Sequence, residues 1–388
     1  RTPDAPEGVK GISLFVVPKF MVNEDGSLGK RNDVFCASIE EKLGIKASPT
    51  AVLVYGDDKG EVGPGAIGYL VGEENRGLEY MFIMMNAARY DVGMQGIAVS
   101  ERAYQHAVAY AKDRIQSRPV DGSAKESVAI IHHPDVKRML MTMRSLIEGE
   151  RAMALVGAAA YDTAHHHPDA EVAKKAQAFY EFLVPLIKGY STENSVEVTS
   201  LGVQVHGGMG FIEETGAAQY YRDSRILPIY EGTTAIQAND LVGRKTARDG
   251  GAVAKAVAGQ IAELEAQLAA RSSAAGKTYA AQLKAGREAF LEVVDFVLAN
   301  VKSNPNAVFS GSVPYLMLAA NLVCAWQMGR ALIVAEDKLA VGEDADFMAA
   351  KIATVRFYGD HILPRVASQR LAILNGGESV TAMSVDAF

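Results

Sequence analysis

The chain has 388 residues, 49% of them hydrophobic and 22% charged, with a formal net charge of −7. This is globular composition with room for two or three domains, and nothing in the charge pattern, which lacks any arginine-rich tract, draws it to nucleic acid. No apolar run approaches the roughly 20 residues of a transmembrane helix, and Cys36 and Cys324, far apart and without metal-type spacing, point to a reducing compartment, the cytoplasm.

Residues 1–70 carry β signals: "GISLFVVP" (11–18), "VFCASI" (34–39) and "TAVLVY" (50–55), divided by Gly, Asn, Asp and Pro clusters, with "NEDGSLG" (23–29) as a loop. The chain opens "RTPDAPEGVKGISLF", without Met and with a strand almost at once, as expected of a longer protein entered partway. From about Glu73 the period changes. Leu78, Met81, Phe82, Met85, Ala88 and Val92 recur at helical spacing, predicting one helix to about Gln116, where Arg118-Pro119 stops it. Further helices are predicted over 133–164, with Pro134 in the first turn, then 169–188 and 191–205. After Gly250-Gly251 the chain becomes alanine-rich and amphipathic, with helices over about 252–272, 277–301, 312–340 and 344–373. The domain reading is therefore 1–70, 71–249 and 250–388: a mainly α protein with a β portion.

Few side chains ask for chemistry. "HHH" (165–167) stands beside Pro168 at a helix end without patterned carboxylates, and His132-His133-Pro134-Asp135 is a helix entry; neither predicts a metal. No G-x-S-x-G elbow supports a serine nucleophile. "GGMG" (207–210) follows a helix, so Gly207 either ends that helix in a left-handed conformation or, with Gly208, lets main-chain N–H groups approach a phosphate. Arg89, in an apolar helix, is an ion-pair partner or an anion site, and Arg114 answers a helix dipole. "YRDSR" (221–225) reads as an ion-pair network. Glu231 is the exception. It follows "RILPIY", a strand-like apolar run, and precedes "GTTAI", surroundings that would desolvate a carboxylate and raise its pKa towards the range of a general base. Thr233 or Thr234 would cap the helix that follows. A structural role for Glu231 stays open on chemistry alone.

The segment "LGVQVHGGMGFIEETGAAQYYRDSRILPIYEGTTAIQANDLVGRK" (201–245) resembles the C-terminal signature of the acyl-CoA dehydrogenase family of flavoenzymes, with Gln-x-x-Gly-Gly-x-Gly, an Arg-Asp pair and Ile-Tyr-Glu-Gly-Thr in order and at that family's spacing. "EEKLGIKASPTAVLVY" (40–55) and "GYLVGEENRGLEYMFIMMNAARYDVGMQG" (68–96) look like the family's middle β-domain and the helix after it, so the resemblance covers about 1–248. The further helical module, with "IQANDLVGRK", looks most like a branch acting on 3-methylmercaptopropionyl-CoA and a broad range of acyl-CoA thioesters. The resemblance implies a partial middle β-domain, a helical bundle and an additional C-terminal helical bundle, with the family's N-terminal helical domain preceding residue 1.

It also implies a reaction. Glu231 would take the α-proton of an acyl-CoA thioester while a β-hydride passes to FAD, giving a trans-2-enoyl-CoA. The base's own backbone N–H would help hold the thioester carbonyl, and Gly232 would let the thioester approach the main chain beside Tyr230. Arg114, Gln204, Gly207 and Gly208 would contact the FAD of a neighbouring subunit, and Thr233 that of its own. Asn86 and Arg89 would hold the CoA moiety, although many relatives have Asp at the position of Asn86, and Gln where Ala235 stands. The implied partners are electron-transfer flavoprotein and a second copy in a homodimer. Two rivals are an acyl-CoA oxidase, with oxygen as acceptor, and a non-catalytic assembly subunit of the same fold.

Overall fold

The computed structural model describes residues 1–388. The chain divides into two compact units, 1–88 and 89–388. The first holds three antiparallel two-stranded ribbons: β1 (Leu14–Val16) with β6 (Tyr69–Val71), β2 (Phe20–Val22) with β3 (Leu28–Arg31), and β4 (Val34–Ile39) with β5 (Ala51–Tyr55). The expected loop over 23–29 is the tip of the β2–β3 hairpin, closed by the Asn23 N–H on the Ser27 carbonyl (3.0 Å). Short strands with weak alternation left β2, β3 and β6 unread.

A polar pair anchors these ribbons. Asn32, buried, donates to the carbonyls of Pro18 and Ile67 (both 2.8 Å) and accepts from the Ile67 N–H (2.9 Å). Asp33 accepts from the backbone N–H groups of Asp58 (2.7 Å) and Lys59 (3.2 Å). Loop main chain is thus tied where no regular ladder reaches it.

Helix α1 (Gly77–Asp113) crosses from the first unit into the second. There follow α2 (Pro134–His166), α3 (Ala170–His206), α4 (Ala217–Ser224) and α5 (Thr234–Val242). Pro134 occupies the first turn of α2, and Asp169 caps α3 by accepting from the N–H groups of Glu171 (2.8 Å) and Val172 (3.4 Å). The two helices expected over 169–205 are one. Pro185 and Gly189 both lie inside α3, and Gly189 is pressed against the Leu316 side chain, so tertiary packing overrides both local breakers.

The C-terminal helices are α6 (Ala252–Ala269), α7 (Ala274–Asn300), α8 (Pro305–Ser310), α9 (Ser312–Ala340), α10 (Ala345–Phe357), α11 (Arg365–Asn375) and α12 (Gly377–Thr381). The single helix expected over 344–373 is divided: it widens to a π-turn at Tyr358–Ile362 and breaks at Pro364, which has no N–H to give. Helix α9 corrects the reading of apolar runs. It is long and apolar enough to cross a membrane, with mean hydropathy 1.4 over its most apolar window, but 72% of that window is buried within the protein. It is the central helix of the core, its Leu316, Leu322 and Trp326 sharing one buried cluster with Leu146 and Met153 of α2, Leu183 and Ile187 of α3 and Phe290 of α7. One core therefore runs through α2, α3, α5, α7 and α9, and the boundary expected near 250 lies in the chain, not in the packing.

Candidate active site

Residues 225–233 join α4 to α5 as successive turns, not as the expected strand. The Tyr230 N–H returns to the Ile226 carbonyl (3.1 Å) and the Thr234 N–H to that of Pro228 (3.0 Å), so main-chain bonds close inside the segment and no ladder forms. Leu227 and Pro228 are buried beneath it, while Ile229 is 45% and Ile236 49% exposed.

Glu231 stands at the tip with φ +54°, followed by Gly232 at +92°. Two consecutive left-handed residues, one with a long side chain, cost roughly 1–3 kcal/mol that neighbouring contacts must offset. The carboxylate is exposed, contrary to the expectation that its neighbours would desolvate it. That expectation assumed a buried strand, and turns instead present the side chain outward. Tyr230 donates its hydroxyl to Gln95 of α1, and burial raises its pKa, keeping the phenol protonated. Thr233 is the N-cap of α5, accepting from the Ile236 N–H (3.4 Å), while Thr234 donates to Glu193 (2.5 Å).

Beneath the tip lies a cation that sequence reasoning missed. Lys188 of α3 is fully buried and donates to the carbonyls of Leu227 (2.9 Å) and Gly232 (2.7 Å). Burial lowers its pKa to about 8 against the pull of Glu193 and Glu231. Gln237 donates weakly to the carbonyls of Glu231 (3.4 Å) and Gly232 (3.2 Å). Arg89 meets the simpler of its two expectations: it is buried and 3.5 Å from Asp240. Asn86, half-buried, belongs to the first unit.

The other expected residues gather elsewhere in the second unit, around a hollow of about 390 Å³ lined by Tyr110, Arg114, Gln116, His206, Gly207 and Gly208 among others. Gly207 ends α3 at φ +60°, ψ −138°, a conformation open to glycine alone and distinct from the expected left-handed cap. Its N–H returns to the Gln204 carbonyl, and the Gln204 side chain is exposed. A Cβ on Gly207 or Gly208 would project into open space with no protein atom within 4 Å. Arg114 is exposed at the rim.

A second unforeseen residue shapes this hollow. His206 is 3% exposed, and its Nδ1, 2.7 Å from the Gly202 carbonyl, must carry the proton. Its Nε2 is buried without a partner. Tyr110 stacks on the ring at 4.5 Å and His106 tilts against it at the same distance. An open cradle of two glycines, an exposed guanidinium and a buried nitrogen lacking a partner form a receptor for a polar aromatic or phosphate-bearing group. The two-glycine cradle, the guanidinium and the unpartnered nitrogen fit part of a dinucleotide such as FAD.

Residues 75–246 match the family "Acyl-CoA dehydrogenase, C-terminal domain", and residues 254–384 match "Acetyl-CoA dehydrogenase C-terminal like". The two matched stretches belong to the acyl-CoA dehydrogenase family. The chain is 55% identical over 385 residues to the 3-methylmercaptopropionyl-CoA dehydrogenase of Ruegeria pomeroyi, a match spanning 99% of this chain and 64% of that protein. It is 34% identical to the broad-specificity linear acyl-CoA dehydrogenase FadE5 of Mycobacterium tuberculosis, across 96% of this chain and 62% of that one. The fold is that of a Bacillus anthracis acyl-CoA dehydrogenase crystallised with FAD, at TM-score 0.70 and 18% identity, over 94% of this chain and 61% of that structure. The chain thus spans less than two thirds of the length of these relatives.

Proposed function

We propose that this chain supplies the catalytic base and part of the cofactor site of an FAD-dependent acyl-CoA dehydrogenase. The carrying observation is the Glu231 turn, where a carboxylate is held outward at φ +54° beside Gly232 and over a buried lysine. A strained, braced acidic residue on a turn has a use in proton transfer that a structural subunit would not need. Glu231 takes the α-proton of the thioester, leaving enolate character at the carbonyl, and the Glu231 N–H donates to that oxygen. FAD, when bound, supplies the two-electron acceptor for the β-hydrogen, and the product is the trans-2-enoyl-CoA. Docking of the thioester over Ile229 and Ile236 displaces water from the carboxylate, supplying the desolvation that the chain alone leaves undone.

In this reading Arg114, Gln204, Gly207 and Gly208 serve the FAD of a neighbouring copy in a homodimer, and Thr233 serves that of its own. Tyr230 and Gly232 flank the acyl thioester, and Asn86 and Arg89 serve the CoA end, Arg89 through the guanidinium edge that Asp240 leaves free. The substrate is 3-(methylthio)propanoyl-CoA, from the likeness to the Ruegeria pomeroyi protein. Electron-transfer flavoprotein accepts the electrons, in the cytoplasm.

The test is anaerobic titration of the FAD-loaded protein with 3-(methylthio)propanoyl-CoA, following flavin absorbance. Bleaching in the wild type is expected, with a loss of at least about 10³-fold in rate in Glu231→Gln while flavin stays bound. Bleaching at an unchanged rate in the variant would remove Glu231 from the reaction, and a protein that takes up no FAD would overturn the cofactor assignment.

A further inference from the structure

Lys188 is the one fully buried cation of the second unit, and its position is unusual for what it holds. Its ammonium does not sit against a carboxylate at salt-bridge distance. It donates instead to two main-chain carbonyls, those of Leu227 and Gly232, on either side of the residues that carry Tyr230 and Glu231. A buried ammonium is costly unless its donors are satisfied, and the same two hydrogen bonds offset both its desolvation and the strain at Glu231 and Gly232: the turn supplies the carbonyls, and the lysine fixes the ends of the turn. The groups facing the ammonium are Glu193 on its own helix, Arg89 on α1 and Glu231 on the turn itself.

We infer that Lys188 is a positioning residue for Glu231, a clamp that sets the direction of the carboxylate and of the adjoining peptide groups. This deepens the proposed function and rests on it for the catalytic consequence, whereas the clamp itself stands on the geometry of α3 and the turn. Two fixed carbonyls restrict rotation of the peptides at both ends of the segment, so the left-handed pair at 231–232 has one arrangement instead of several. An acid as weak as a thioester α-carbon needs its base held within a fraction of an ångström, and an exposed side chain on an unclamped turn would not provide that. Gln237 and Thr234 hold the same turn from α5, but through the weaker hydrogen bonds of neutral groups.

The experiment compares wild type with Lys188→Met, which keeps an unbranched stem without the ammonium, and Lys188→Gln, which keeps a neutral donor should the first variant fold poorly. Hydrogen exchange followed by mass spectrometry needs neither substrate nor turnover. Faster exchange by about 10-fold or more is expected in peptides spanning 228–234, with peptides from α9 unchanged. Equal exchange in the turn of a folded variant overturns the clamp. In the FAD-loaded protein the rate of flavin reduction at saturating acyl-CoA should fall about 100-fold, with thioester affinity altered by less than about 3-fold. Faster exchange with an unchanged reduction rate overturns the positioning role. A wild type that exchanges as expected but is never reduced by an acyl-CoA counts against the proposed function and leaves the clamp decided by exchange alone.

Discussion

The carboxyl of Glu150 on α2 lies wholly inside the second unit, with Oε1 accepting from Asn194 (2.7 Å) and Oε2 without a partner. Burial raises its pKa well above the ordinary value of 4.5, and the Glu197 carboxylate adds to the shift. The native chain therefore retains a proton that the unfolded chain gives up, so this residue lowers stability progressively as pH rises above 4.5 towards its native pKa. Glu150→Gln, which is neutral at every pH, is expected to remove that dependence. Measured by urea unfolding between pH 4.5 and 8, the advantage of the variant should grow by up to about 1.4 kcal/mol per pH unit inside that window. A constant difference across the range would mean that Glu150 is ionised in the fold. Glu231 and Glu150 are thus opposites: one acid is exposed where its chemistry is proposed, and the other is buried where packing alone has placed it.

At the scale of elements, the end of α3 makes the clearest separation between folding and binding. Gly207 has a conformation that other residues reach only with strain, whereas Gly208 has no such constraint and faces open space. Gly207→Ala is expected to cost roughly 1–3 kcal/mol of stability. Gly208→Val should leave the melting temperature of the flavin-free protein within about 2 °C and weaken FAD binding by about 10-fold or more by filling the cradle. Fluorescence titration with FAD beside thermal melts checks both, and unaltered flavin affinity in Gly208→Val would take the hollow out of the cofactor site. These same elements mark what could be read beforehand. Helical periodicity located α1, α2, α7 and α9 to within a few residues, because their apolar stripes are long and their stops are Pro or Gly. Glu231, Gly207 and Gly208 stood out because a charge or a missing side chain was out of keeping with its neighbours. Lys188 and His206 did not. "LIKGY" reads as an ordinary helix passage, and the meaning of that lysine depends on carbonyls 39 and 44 residues further along the chain. The strand expected at 225–230 failed for a related reason: an apolar run states that residues are buried, not which backbone bonds they close.

In the whole molecule, residues 89–388 form one compact unit, and α9 supplies its centre. Bidentate pairing of Arg365 with Glu197 (2.9 and 2.7 Å), and a single bond from Lys351 to Glu148, tie α11 to α3 and α10 to α2 around that centre. A chain ended at Gly250 is expected to expose the faces of α2, α3 and α5 that α9 covers, and to lose cooperative unfolding. Differential scanning calorimetry with a dye that reports exposed apolar surface would show it. A sharp transition in the shortened chain would mean that 89–249 carries a sufficient core of its own.

The same arrangement constrains inheritance. A domain with its own core can be gained or lost by a single recombination at a linker, and its former neighbour keeps folding. Here a crossover near codon 250 would separate two halves of one packed interior. Exchange of the C-terminal helices between relatives would succeed only where the apolar faces of α2, α3 and α5 travelled with them, so the two family segments at 75–246 and 254–384 should descend as a pair.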